Sequence, residues 1–302
     1  MSVIQVSGIS KRYGRTVALD DVSFEVEQGE IFGLIGPNGA GKTTAMECLE
    51  GIRVPDRGAI SVLGVDPWRG LRALQHRIGV QLQEAQLQKR IKVGEAVRFW
   101  ASLYPRHMDG DQLLEQLGLG DRTHVWFMSL SGGQKQRLFI ALALINDPEV
   151  VFLDELTTGL DPQARRAIWE LVRGIRQRGK TVVLTTHMME EAEKLCDRVA
   201  IVERGRVIDV DTPARLVARH CPNRTVLVTT DDPSAEARFR VLPQVDEVSR
   251  AESVITVRGR DEVVTAVIQC VSQHRIHVTG FHTEMPTLED VFLTLTGHRI
   301  RN

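Results

Sequence analysis

At 302 residues the chain is long enough for one large domain with a sizeable core, or one domain with a small appendage. Its 42% hydrophobic and 25% charged residues are ordinary for a globular protein, and a net charge of −1 argues against a dedicated nucleic-acid binder. No stretch approaches the roughly 18 consecutive apolar residues needed to span a bilayer, and Met1-Ser2-Val3-Ile4 opens without the charged and apolar regions of a secretory signal. Cys48, Cys196, Cys221 and Cys270 are scattered without metal-type spacing and read as buried, reduced thiols of a cytoplasmic chain.

Short alternating segments at 3–6 and 22–26 read as strands, and Glu30-Ile31-Phe32-Gly33-Leu34-Ile35 runs straight into a glycine-rich loop. An apolar-periodic segment, 42–49, follows as a helix. From about 84 to 145 the pattern is mostly helical, with amphipathic stretches at 95–104 and 111–117 and a buried apolar run at 138–145. Val150-Val151-Phe152-Leu153 reads as a buried strand. A helix is expected over 163–178, with Ala164, Ile168, Leu171, Val172 and Ile175 on one face and Gly179 as its cap. Another buried strand at 181–185 and a hairpin at 199–210, turning at Arg204-Gly205, complete an α/β pattern around a mainly parallel sheet.

After about His220 the character changes. Strands are expected at 225–229, 253–257 and 276–281, with Val263, Val264, Val267, Ile268 and Val271 on one helix face. Thr287-Leu288-Glu289-Asp290 starts a last helix as a capping box. A small α+β domain of ferredoxin-like order over 220–302 is the expectation, behind a first domain over 1–219.

Three stretches carry chemistry. Gly36-Pro37-Asn38-Gly39-Ala40-Gly41-Lys42-Thr43, followed by Thr44, fits the P-loop pattern between a strand and a helix. Glycines let successive backbone N–H groups turn inward as an anion nest, and the helix points its positive end at phosphates. Lys42 is then placed for the β/γ-phosphates and Thr43 for the Mg²⁺ shell. Leu130-Ser131-Gly132-Gly133-Gln134 precedes a second helix and offers a further phosphate-binding start; a serine-capped helix produces the same pattern. Asp154-Glu155 ends a strand as paired carboxylates.

The P-loop and the Ser131 segment together resemble the nucleotide-binding subunits of ABC (ATP-binding cassette) transporters, over essentially residues 3–211. The resemblance implies an ATPase with a P-loop (RecA-like) α/β core, an antiparallel β subdomain and a helical subdomain at about 84–145. Val150-Val151-Phe152-Leu153-Asp154-Glu155 resembles the Walker B strand, which makes Asp154 the Mg²⁺ residue and Glu155 the general base. Leu156-Thr157-Thr158-Gly159-Leu160-Asp161 resembles the D-loop, with Leu156 where a proline is usual. Asp161-Pro162 also reads as an N-cap with proline at the first helical position. His187 resembles the switch histidine, Gln83 the Q-loop glutamine at the metal and water (with nearby Gln81 as the alternative register), and Tyr13 the aromatic that stacks on adenine.

The same resemblance implies a separately encoded membrane permease and attachment to the inner face of the cell membrane. It also implies a homodimer, because the chain carries two phosphate-binding elements and one P-loop. Ser131, Gly132, Gly133 and Gln134 of one copy would then close the nucleotide of the other. Pro286-Thr287-Leu288-Glu289-Asp290-Val291-Phe292-Leu293, with Leu295-Thr296-Gly297, resembles the end of drug-resistance exporter ATPases. An importer ATPase remains a rival. So does a soluble ABC ATPase acting on ribosomes or DNA, although the second cassette, coiled-coil or zinc insertions of such proteins are not visible.

Overall fold

Alternating side chains open the chain as a long antiparallel hairpin, β1 (Ser2–Tyr13) and β2 (Thr16–Glu27), turning at Gly14. The computed structural model describes residues 1–81, 87–260 and 262–297, so Gln83 lies outside the described residues. β3 (Ile31–Ile35) is buried at all five positions, which explains its continuous apolar run. After the glycine-rich loop comes α1 (Lys42–Leu49), and β4 (Arg57–Val62) returns to pair with β1 in a three-stranded sheet of order β2-β1-β4.

A short α2 (Leu71–Leu74) leads to β5 (Ile78–Gln81). The helical stretch resolves into α3 (Val93–Ser102), α4 (Gly110–Gln116), capped by the Asp109 carboxylate, and α5 (Gly132–Leu144). Strands and helices then alternate: β6 (Val150–Asp154), α6 (Pro162–Gln177), β7 (Thr181–Thr186), α7 (Met189–Leu195) and β8 (Arg198–Glu203). β9 (Arg206–Asp211) folds back on β8 through Arg204-Gly205, both with positive φ, as the hairpin pattern requires.

These strands form a six-stranded sheet of order β5-β6-β7-β3-β8-β9, parallel throughout except for β9. β3 therefore sits between two strands that come much later in sequence. One core of buried side chains joins this sheet to the antiparallel one, with Phe24 and Phe32 stacked at 5.4 Å between ring centres. Burying each such phenylalanine contributes about 1.5–3 kcal/mol. Among the described residues, no helix is long and apolar enough to cross a membrane.

Two compact units result, one over Met1–Pro213 and one beginning at Ala214. The change thus falls at the start of α8 (Pro213–His220), whereas composition placed it near His220. The second unit runs β10 (Asn223–Thr229), α9 (Ala235–Arg240), β11 (Val245–Ala251), β12 (Val254–Arg260), α10 (Val263–Gln273), β13 (Gly280–Glu284) and α11 (Leu288–Thr296). Its antiparallel sheet of order β11-β12-β10-β13 is the ferredoxin-like arrangement.

Two sequence expectations are corrected here. Ile268 is half exposed, because the buried stripe of α10 follows Val263, Ala266, Val267 and Cys270 instead. The last strand starts at Gly280, later than the 276–281 run suggests. β11 had no clear sequence signal: Asp246, Glu247 and Arg250 interrupt its alternation, and only Val248 is fully buried. Thr287 and Asp290 do form the capping box of α11.

Candidate nucleotide-binding site

Parallel strands deliver their C-terminal ends to one edge, and β3, β6 and β7 are neighbours there. Ile35 pairs with Thr186, and Asp154 with Thr185, so the glycine-rich loop, the carboxylates and His187 all leave the sheet at one level.

The loop after β3 depends on two glycines in particular. A Cβ on Gly36 would meet the Val202 carbonyl oxygen at 2.1 Å, and one on Gly41 the Ala18 carbonyl oxygen at 2.3 Å. Gly41 caps α1 in the left-handed region, with φ 103. Ala40 accepts a hydrogen bond from the Gly205 amide at 2.9 Å, which ties the loop to the β8–β9 hairpin. Pro37 O accepts from Ala40 N across the turn, while Asn38 and Gly39 stand exposed at its tip.

Lys42 is buried, and its Nζ donates to the Gly36 and Pro37 carbonyls, both at 2.9 Å, inside the loop. Burial pulls its pKa down; the nearby Glu155 and Asp154 carboxylates oppose that. The Thr43 hydroxyl, at the start of α1, favours the charged form of Asp154, and Thr44 lies one residue further along α1, half-buried.

Asp154 ends β6, 5% exposed, and accepts a hydrogen bond from the Thr185 hydroxyl. Burial pushes its pKa up, and the Glu155 charge adds to the push, while the hydroxyl bonds and Lys42 act against it. A buried carboxylate beside a threonine hydroxyl and an ammonium is a donor set suited to a hard cation among phosphates. The left-handed loop that a Cβ would block, the buried ammonium and this carboxylate together fit MgATP.

Glu155 follows in the left-handed region at φ 47, a strained state for a side chain with a Cβ. Its amide donates to the Thr185 hydroxyl at 3.1 Å. His187 Nδ1 stands 3.5 Å from Glu155 Oε1, with both side chains largely buried. Asp161 N-caps α6, accepting from the Gln163 and Ala164 amides at 3.0 and 2.9 Å.

The Ser131 segment lies at the start of α5. Ser131 Oγ accepts from the Gln134 amide and Gln134 Oε1 from the Ser131 amide, a full capping box. Cβ atoms on Gly132 and Gly133 would sit 3.3 Å from Leu160 and 3.2 Å from Ala164, so this helix start packs beside the loop that follows β6. Tyr13 is 40% exposed, and the Arg53 guanidinium covers one ring face at 5.1 Å from its centre. Gln81 is buried at the end of β5.

Sequence reasoning assigned no individual role to four residues that the fold ties to these groups: Thr185, Thr157, Glu191 and Arg53. Arg53 and Glu191 have no local signature, and Glu191 lies in an acidic run, Glu190, Glu191 and Glu193, of which the fold buries it almost completely.

A family model described as ABC transporter matches residues 19–158. The Nod factor export ATP-binding protein I of Ralstonia nicotianae is 37% identical over 310 residues, covering 99% of this chain and 95% of that protein. A daunorubicin resistance ATP-binding protein of Streptomyces coeruleorubidus is 37% identical over 307 residues, covering 98% and 96%. Among solved structures, an ATP-binding subunit of an ABC transporter is 30% identical with a TM-score of 0.65, covering 72% of this chain and 92% of that one. A dimeric bacterial ABC transporter cassette is 26% identical with a TM-score of 0.61, covering 69% and 98%.

Proposed function

Because the chain belongs to the ABC transporters, as an ATP-binding, ATP-hydrolysing subunit, we propose that it powers export of a small or lipophilic compound through a separately encoded membrane permease. One observation carries the direction. The relatives named for export and drug resistance align over 98–99% of the chain, its second unit included, whereas the solved cassettes cover about 70%.

The chemistry follows from the site. Lys42 leaves its two carbonyl partners for the β/γ-phosphates, held by the loop amides between Gly36 and Thr44. Thr43, Asp154 and Gln83 would hold Mg²⁺, which neutralises developing phosphate charge when bound. Glu155 takes the proton of the attacking water, and His187, beside its carboxylate, orients toward the γ-phosphate. Tyr13 offers the face not covered by Arg53 to adenine.

The assembly is a homodimer in which Ser131, Gly132, Gly133 and Gln134 of one copy close the nucleotide of the other, with Asp161 near the shared boundary. It sits on the cytoplasmic face of the cell membrane, and no nucleic acid takes part.

Affinity purification of the tagged chain from detergent-solubilised membranes tests the reading. Recovery of a polytopic membrane protein, with ATPase activity in the complex, is expected. Recovery of ribosomes or DNA in its place overturns it.

A further inference from the structure

Glu191, on the first turn of α7, is 1% exposed. A carboxyl group that deep needs partners. Its Oε1 accepts from the Thr157 hydroxyl at 2.8 Å and from the Trp169 indole N–H at 2.9 Å. Thr157 follows β6 two residues after Glu155, Trp169 belongs to α6, and Glu191 follows His187 by four residues. One oxygen thus joins the loop at 156–161 and the helix after it to the segment that carries His187.

The bonds close a circuit. Glu155 leads by chain to Thr157, Thr157 by hydrogen bond to Glu191, Glu191 by four residues of chain, through the start of α7, to His187, and His187 Nδ1 comes back to within 3.5 Å of Glu155. Thr157 Oγ1 also lies 3.8 Å from Met188 Sδ, on the same segment. Glu155 holds a strained φ of 47, and such a conformation persists only where its surroundings over-determine it. The Thr185 bonds restrain it on one side. On the other, Leu156 is buried, Thr158 donates its amide to the Glu155 carbonyl at 3.4 Å and its hydroxyl to Glu155 Oε2 at 3.5 Å, and Thr157 between them is tied to Glu191.

We propose that Glu191 is a positioning residue for the Glu155–His187 pair, acting through Thr157 and Trp169. The inference rests on the reading of Glu155 as general base. Glu191 touches no reacting atom; it sets where Glu155 and His187 stand when the nucleotide arrives.

The test uses the full-length protein in its membrane-extracted complex, with turnover expressed per bound nucleotide and a thermal melt for each variant. Thr157→Val keeps the shape and deletes one donor. It should lower kcat roughly tenfold while KM for MgATP stays within about twofold, because the Lys42 loop is untouched. Glu191→Ala should lower kcat further. Glu191→Gln retains an oxygen that accepts both bonds and should keep kcat within about threefold of the wild type. In a Glu155→Gln background, Thr157→Val should add little, since the two act as a unit.

A role confined to stability predicts lower melting temperatures with kcat per bound nucleotide unchanged in Thr157→Val and Glu191→Ala, and that result overturns the proposal. If Glu155→Gln itself keeps near-normal turnover, the base is misassigned and the positioning role falls with it. If Glu155→Gln is slow while Thr157→Val and Glu191→Ala are not, the positioning role falls alone.

Discussion

His187 Nδ1 and Glu155 Oε1 lie 3.5 Å apart although they leave different strands, because β6 and β7 run parallel side by side and end at one level. Neither residue could reach the other from a loop of its own. Asp154, which precedes Glu155 at the end of β6, has its carboxylate bonded to Thr185 of β7, so the two strands are laced together where the pair leaves them.

Glu155→Gln should keep MgATP binding and lose turnover by roughly 10²- to 10⁴-fold, since the amide matches the side chain in size but takes no proton. Binding is read by equilibrium dialysis of nucleotide and turnover by phosphate release. Near-normal steady-state hydrolysis would falsify the assignment.

Gly41→Ala should cost more than Gly39→Ala. Both have positive φ, which strains an alanine by about 1–3 kcal/mol. Only at Gly41 does the added Cβ meet a backbone oxygen, at 2.3 Å; at Gly39 nothing lies within 4 Å. Nucleotide affinity should therefore fall at least about tenfold for Gly41→Ala, with a lowered melting temperature, and change little for Gly39→Ala. Equal affinities in the two variants would remove the steric argument.

Glu50 makes stability depend on pH. Burial, helped by Asp154 and Glu47, pushes its pKa up from 4.5 to about 8. The folded state then binds a proton that the unfolded state releases between these values, so stability is fully present below about pH 4.5 and declines as pH rises towards 8. Glu50→Gln removes that slope. Its melting temperature should exceed the wild type's by several degrees at pH 8, with the gap closing toward pH 5; a gap independent of pH contradicts the prediction.

A chain ending at Arg219 should fold and bind ATP. The P-loop, Asp154 and His187 all belong to the unit over Met1–Pro213. Circular dichroism and nucleotide titration decide it: a folded truncation without nucleotide affinity refutes the division.

Lys42→Ala and Ser131→Arg should each inactivate the homodimer, and mixing them should restore one intact composite site per heterodimer. Ser131→Arg also removes the cap of α5, about 1 kcal/mol, so melts are compared alongside activity. Full activity in Ser131→Arg alone, linear in protein concentration, shows that one chain suffices.

Signals that act within a few residues were legible before any fold was known. The strand–loop–helix around Lys42, the Asp161-Pro162 start of α6, the Arg204-Gly205 hairpin and the Thr287 capping box each rest on hydrogen bonds or φ preferences local to the segment. So does the placement of Asp154 and Glu155 at a strand end. Tertiary packing decided the remainder. Asp154 and Thr185 are 31 positions apart, Thr157 and Glu191 34, and Trp169 and Glu191 22. No periodicity reaches that far, so nothing local marks which glutamate of the α7 acidic run is buried. Arg53 meets Tyr13, and Ile268 turns to solvent, for the same reason: hydrophobic and polar patterns say which side chains need burial or a partner, and strand order says which partner is within reach.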